Sequence, residues 1–373
     1  MTCPQTITYD GKALLKKVRE TAADCPLLGA LKETAEAFLL CGRFSVVDRN
    51  QKAISGNIHD YVSMGPYWWP NPETPDGLPY IRRDGEINPE TVETVTYRAM
   101  TDIVHTLAVA ALYLEDKRYS EKAVKILWDW HLSPETYMNP HMGYAQSIPG
   151  ICSGRGIGLI DFSTSYRLID GIAILDYLGA IDGEMMEGLK KWYGDVVDWM
   201  LSSQQGKDEQ KHHNNHGTWY DVQIASASLF IGRIELAKET LEASYERRVL
   251  AHVKEDGAQP HELERTKGIH YSLYNLEGLM LLGNMAKKVG VLKPFWEIDG
   301  EKGDFLRLAV DYITPYAIDP STFPYSELSP EGSGERIAPL LMRAAHYYPD
   351  GGYGEKALAL AGAKALWRLV PQA

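Results

Sequence analysis

An excess of basic residues, paired cysteines and long apolar runs are all missing from this chain of 373 residues. Its 38 Lys and Arg stand against 50 Asp and Glu, a formal net charge of −12. That balance argues against nucleic acid as a main partner, because phosphate binding needs a basic face that releases counterions. An anionic substrate would have to meet positive charge gathered locally. Cys3, Cys25, Cys41 and Cys152 have neither CxxC spacing nor the density of a disulfide scaffold, so the redox compartment stays open. No segment approaches the roughly 20 apolar residues of a membrane span. The N-terminus lacks the basic and apolar regions of a signal peptide, although a secreted chain already trimmed of its signal reads the same. Strand periodicity is missing as well, with no alternating run longer than a few residues.

What is present is helical. Apolar residues make up 45% and charged residues 24% of the chain, with 22 Tyr and 9 Trp, the aromatic richness of proteins that handle sugars or bases. Apolar positions recur at three- and four-residue steps from Gly11 to Gly42, with Cys25-Pro26 separating two helices. The same pattern predicts hairpins from Glu93 to Leu114 with Ser120 to Leu132, Ser165 to Leu178 with Met185 to Gln204, and Gly217 to Ile231 with Ile234 to Val253. Glu262 to Val289 with Asp304 to Tyr316, and Ser333 to Tyr347 with Tyr353 to Leu369, complete about twelve helices. Short and long loops alternate, and no fixed-period repeat marks a solenoid. The expected fold is all-α, an α/α toroid: an incomplete barrel of about six to seven helical hairpins with long loops around one central cleft. No linker divides residues 1–373, which read as a single domain.

Two loops stand out. Phe44 to Val92 is crowded with Pro and Gly and contains YVSMGPYWWPNPETPDGLPY, and long irregular stretches inside compact domains are usually functional. Tyr67, Trp68 and Trp69 suit a stacking platform for sugar rings, with Arg82 and Arg83 to attract an anionic chain; they equally suit a loop pinned by buried indoles. Further on, Gly154, Gly156 and Gly158 surround Arg155. They match neither the GxGxxG nor the GK[ST] spacing and follow no strand, which excludes a nucleotide loop. Arg155 is either an exposed guanidinium able to fork onto a carboxylate or a surface Arg without a role.

The densest polar stretch is KHHNNHGTWYD, Lys211 to Asp221. Asn214 or Asn215 can cap the helix that follows, but a cap uses one residue and leaves the rest unexplained. His212 and His216 are four apart, on one helical face. The zincin HExxH motif needs Glu where this chain has His213, and no clear third ligand follows, so neither a metal nor a cofactor is expected. A second cluster, QPHELERTKGIHYSLYNLEG, sets Arg265 six residues before Tyr271. One unbroken helix would put these about 120° apart, and Gly268 can relax that. Taken alone, the segment reads as well with Arg265 bridging Glu262 and Tyr271 in the core.

Together, NNHGTWYDVQ, ELERTKGIHYSLY and the early SMGPYWWPNP resemble the alginate lyase family built on an α/α barrel, over about Tyr61 to Gly283. The Arg-to-Tyr spacing is one residue shorter than in the best-known branch and the stretch before NNH differs, so the chain looks closer to a separate branch acting on alginate or related polyuronates such as glucuronan. The resemblance implies a polysaccharide lyase with Asn215, His216, Arg265 and Tyr271 as catalytic positions. It also implies an acidic polysaccharide as partner and a periplasmic or secreted location; Tyr67, Trp68, Trp69, Arg155, His213 and Tyr274 are the expected substrate contacts. Residues 1–373 would then be one catalytic domain.

The chemistry asks for these residue types. β-Elimination on a 4-linked uronic acid removes the C5 proton, which is barely acidic while the neighbouring carboxylate is charged. Asn215, His216 and Arg265 can donate hydrogen bonds to that carboxylate and to the enolate-like charge that follows. Tyr271 would shuttle the proton, its reference pKa of about 10 brought down by the nearby Arg. The rival enzyme class, a glycoside hydrolase, needs two carboxylates flanking a cleft, with Asp102, Asp161 and Glu262 as candidates. A glycan-binding protein would need the aromatic platform but not the Arg and Tyr pair.

Overall fold

The computed structural model describes residues 2–49, 53–89, 93–296 and 304–373. Among these, helices dominate. The first two are α1 (Gly11–Glu20) and α2 (Pro26–Leu39), followed after the long loop by α3 (Glu93–Leu114), α4 (Lys117–His131), α5 (Ser165–Tyr177), α6 (Gly183–Ser202) and α7 (Gln204–Gln210). Then come α8 (Asn215–Ile231), α9 (Ile234–Ser244), α10 (Pro260–Leu263), α11 (Gly268–Lys288), α12 (Phe305–Ile318), α13 (Ser333–Tyr347) and α14 (Tyr353–Leu360). Short side chains start many of them: Asp10, Asp116, Asp182, Ser203 and Asp304 each accept a backbone N–H of the first turn, satisfying donors that a helix start leaves open.

Strands are brief. β1 (Val62–Met64) pairs in parallel with β4 (Tyr144–Ser147), and β2 (Trp68–Trp69) pairs antiparallel with β3 (Ile81–Arg82). The long loop expected from Phe44 to Val92 therefore holds three of the four short strands and a 3-10 turn at Val46–Asp48. Its residues 50–52 and 90–92 lie outside the described residues.

The contacts separate two compact units. The first is centred on Leu31–Lys211, with Phe230–Gly232 added. In it α3 packs on α4 and α5, around a buried aromatic set in which Tyr97 lies 3.9 Å from Phe162 and 5.6 Å from Trp130, ring centre to ring centre. The second comprises Ile7–Ala30, His212–Leu229 and the described residues of Arg233–Ala373. Here α11 packs on α9, α12 and α13, and α13 on α14.

Within the second unit, α8 and α11 are buried nearly all round, as expected of helices apolar on every face rather than along one stripe. Gly278 on α11 sets their approach: a Cβ there would stand 2.7 Å from Thr218 Cγ2 on α8. Two helices expected as continuous are interrupted. The run expected from Ile234 to Val253 is an α-helix to Ser244 and then a π-helical segment, Tyr245–Leu250. The run expected from Glu262 to Val289 breaks into α10 and α11, with Glu264 to Lys267 as a turn between them.

Candidate active site

Apart from Lys211, both polar clusters singled out in the sequence lie in the second unit. Asn214 takes the capping role: its Oδ1 accepts the His216 N–H at 3.3 Å, and its carbonyl accepts Gly217 N–H at 3.0 Å. That frees Asn215 and His216 to open α8 as its first two residues. Gly217 comes next because nothing larger fits, since a Cβ there would stand 2.2 Å from the His212 carbonyl oxygen and 2.3 Å from Arg248 Nη1.

A buried charge cluster holds this helix start. Asp221, fully buried on α8, accepts hydrogen bonds from Arg247 Nη2 (2.6 Å), Arg247 Nε (2.9 Å), Arg248 Nε (2.8 Å) and Ser244 Oγ (3.0 Å). Arg248 in turn donates from Nη1 to the His212 carbonyl at 2.8 Å. Consecutive residues of an α-helix point about 100° apart, and both arginines reach one carboxylate from the π-helical segment. Such segments often mark functional positions.

Arg265 and Tyr271 meet. Arg265 donates from Nη2 to the Tyr271 hydroxyl at 3.1 Å, and its guanidinium carbon lies 4.1 Å from the centre of the tyrosine ring. The contact exists because the chain turns between them: Arg265 lies before α11 and Tyr271 in its first turn, so the 120° separation of an unbroken helix does not apply. A second segment braces that turn. Gly268 N–H donates to the Ser326 carbonyl and Leu328 N–H to the Thr266 carbonyl, each at 3.0 Å. Glu327 accepts the His270 N–H at 3.1 Å, and the Arg336 side chain contacts His270 Nδ1.

Glu262 is not a salt-bridge partner of Arg265. Its two oxygens accept from Asn215, Oε1 from the backbone N–H and Oε2 from Nδ2, both at 2.6 Å. The carboxyl is 1% exposed and Asn215 is 0% exposed. Burial pushes Glu262 up to about 7, against the opposing pull of the Asn215 bonds and of the His216 and Arg265 charges. Those opposing influences put His216 and Arg265 around one buried carboxylate. Asn215 and His216, adjacent in the motif, differ in the structure: His216 is half-buried and Asn215 is enclosed.

Of the expected substrate contacts in this unit, His213 is exposed and stands against His261, ring centres 4.5 Å apart. Tyr274 is half-buried one turn beyond Tyr271 and stacks on Trp219 at 4.7 Å. Glu262 was legible only as a partner of Arg265 or a hydrolase carboxylate, and Arg248 not at all, because their partners lie 47 and 27 residues away.

The first unit holds the other four. Tyr67, Trp68 and Trp69 are half-buried. The Trp69 indole N–H donates to the Glu86 carbonyl at 3.0 Å, and Arg83 lies over its ring. Arg82 and Arg83 are matched within their own hairpin, to Asp84 and Glu86. Arg155 is different. It donates from Nε and Nη2 to the carbonyl and Oε1 of Gln146, both at 3.0 Å, with its guanidinium carbon 5.8 Å from the Trp68 ring centre. Burial lowers its pKa. Gln146 is itself held in the left-handed region at φ 48°, its Nε2 donating to fully buried Asp161 at 2.9 Å. Asp161 also accepts from Tyr61 and Ser63, and burial raises its carboxyl pKa.

Comparison with known proteins accords with this geometry. A model of the alginate lyase family matches residues 45–323. Comparison with curated protein sequences finds no match. Among solved structures, an alginate lyase from Bacteroides ovatus is 33% identical, with 99% of each chain covered and a TM-score of 0.93. Alginate lyase A1-III from Sphingomonas species A1 is 15% identical over 99% of this chain and 97% of its own, with a TM-score of 0.62. A histidine-to-alanine variant of A1-III in complex with a tetrasaccharide is 15% identical over 95% of this chain and 92% of its own, with a TM-score of 0.61. The two A1-III likenesses speak for the fold, the α/α-toroid class expected from the hairpin rhythm. By the family model and by the Bacteroides ovatus relative, the chain belongs to the alginate lyase family and so to the polysaccharide lyases.

Proposed function

We propose that this protein cleaves 4-linked uronic acid polymers, alginate foremost, by β-elimination, and that residues 1–373 act as one catalytic domain. The observation that carries the reading is the Arg265 and Tyr271 contact, a guanidinium donating to a phenol oxygen at 3.1 Å. A donor in that position stabilises negative charge on the oxygen as its proton leaves. The same arginine, with His216, supplies positive charge and donors for a uronate carboxylate, which must be neutralised before the adjacent C5 proton becomes acidic. Asn215 is enclosed in the free protein, with one Nδ2 hydrogen left after Glu262 takes the other, and we assign that donor to the same carboxylate once substrate is bound.

The step balances within the sugar. Tyr271 takes the C5 proton, the electron pair forms the C4–C5 double bond, the C4–O bond breaks, and the departing oxygen receives a proton. Where H5 and the C4 oxygen lie on the same side, as in mannuronate, Tyr271 can serve both transfers. Where they lie on opposite sides, as in guluronate, His216 takes the proton and Tyr271 returns one. We assign Tyr67, Trp68, Trp69, Arg155, His213 and Tyr274 to substrate binding; Arg155 is the best supported, a partly buried guanidinium held by neutral acceptors and ready for an anion.

The hydrolase reading is disfavoured by the state of its candidate carboxylates. Asp161 and Glu262 are buried with their oxygens engaged, and Asp102 pairs with Arg167 at 2.7 Å. Among the described residues no helix is long and apolar enough to cross a membrane, and a polymeric substrate is met in the periplasm or outside the cell, where we place the activity.

Tyr271→Phe tests the assignment. The variant should fold normally and lose about 1,000-fold in turnover, within the range for removal of a proton-transfer group. Release of the absorbing unsaturated product measures it, and a variant within a few-fold of the parent rate would sink the role of Tyr271.

A further inference from the structure

The Glu262 side chain meets buried Asn215 while its backbone meets Arg265, so the residue joins the two halves of the proposed site. One oxygen holds the backbone N–H of Asn215, the residue before His216, and the other holds the Asn215 side chain. On its own side, Glu262 accepts with its carbonyl the N–H of Arg265 at 3.2 Å, closing the turn that delivers Arg265 to Tyr271. One residue thus ties the start of α8 to the turn before α11.

The carboxylate also decides which way the Asn215 amide points. An ionised carboxylate, the form Glu262 takes above about pH 7, accepts at both oxygens, so only Nδ2 can face it. The cost of that choice is visible: Asn215 Oδ1 is buried with no hydrogen-bond partner. Left to local satisfaction, the amide has no reason to leave its acceptor orphaned, since buried acceptors are normally paired. The Glu262 carboxylate holds the amide in this orientation, with Nδ2 on Oε2.

We propose that Glu262 is a positioning residue for the lyase reaction, a two-point clasp that fixes the Asn215 amide with Nδ2 on the carboxylate and sets the register of His216 against Arg265. The proposal rests on the reading of Asn215, His216, Arg265 and Tyr271 as the catalytic set. It goes beyond that set in making the orientation of Asn215 depend on an acid that never meets the sugar.

Glu262→Gln separates this role from simple support of the fold. Gln keeps the shape and can still accept the Asn215 N–H, but its Nε2 faces the side chain as a donor. The Asn215 amide then turns to accept with Oδ1. The turn exchanges a buried Oδ1 without a partner for a buried Nδ2 in the same place, so the melting temperature should stay close to the parent, while kcat falls about 100-fold, the scale of a small misplacement of a reacting group. KM should stay within about threefold, because Arg155 and the aromatic contacts are untouched.

The control is a double-mutant cycle with Asn215→Ala. If Glu262 acts through Asn215, the double variant should be no slower than Asn215→Ala alone; effects that multiply would contradict the clasp. Folded Glu262→Gln with kcat within threefold of the parent would overturn it. Glu262→Asp, which keeps both acceptors on a shorter arm, is expected to retain more activity than Glu262→Gln, and the reverse order would also count against it. Near-normal activity of Asn215→Ala is a separate outcome: it removes Asn215 from the catalytic set and the clasp with it. An inactive Asn215→Ala beside an active Glu262→Gln removes the clasp alone.

Discussion

Each polar side chain that matters here is defined by what it gives to one neighbour and keeps for another. Glu262 gives both oxygens to Asn215, and burial sets its pKa at about 7 against an ordinary 4.5. A carboxyl raised on folding binds its proton more tightly in the folded chain. Its contribution to stability is therefore full below the unfolded pKa and is lost as pH rises through about 7. Chemical unfolding of the parent and of Glu262→Gln at a series of pH values should show the difference moving in favour of Gln by about 3 kcal/mol between pH 4.5 and 8; a difference that stays constant would mean that Glu262 is not a displaced acid. Arg155 makes the complementary case. Among the described residues its side chain donates to neutral Gln146, so Arg155→Ala should raise KM for a polyuronate by about 10- to 100-fold, the worth of a charge-assisted hydrogen bond, with kcat changed only a few-fold in initial-rate measurements.

At the scale of elements, two helices hold the proposed site by their first turns, and their starts are set by contacts from elsewhere in the chain. The capping by Asn214 was legible because Asn before an apolar, small-residue run is a local signal. The Arg265 and Tyr271 contact was legible only through the family resemblance; six-residue spacing gave no local reason for it. The break that makes it possible comes from backbone bonds between residues 266–268 and 326–328, some 60 residues apart, which no local pattern carries. The π-helical segment was hidden for a similar reason: YERRVL continues a helical pattern, and its distortion reflects a demand from buried Asp221. The start of α8 is tight enough to test. Gly217→Ala drives a methyl into the His212 carbonyl and Arg248 and should destabilise the fold by about 1–3 kcal/mol, read as a lower denaturant midpoint. Unchanged stability would mean that the His212 and Arg248 packing gives way freely.

For the molecule as a whole, composition set limits that the site respects. A chain of net charge −12 that takes up a polyanion must gather positive charge in few places. Arg155 in the first unit donates to neutral Gln146, and Arg265 in the second donates to neutral Tyr271 while its charge acts on buried Glu262, whereas Arg82 and Arg83 are matched by nearby carboxylates. The helical class and the family were readable from hairpin rhythm and motif; the assignment of individual uronates was not, because epimers differ in the side of one hydrogen and not in the residue types needed to remove it. The most direct measurement of the central claim is product analysis on defined mannuronate, guluronate and glucuronate polymers, combining near-ultraviolet absorbance with mass. The account predicts that at least one polymer yields absorbing 4,5-unsaturated ends whose fragments sum to the mass of the parent chain. Saturated fragments, heavier in total by one water for each cleavage, would contradict it.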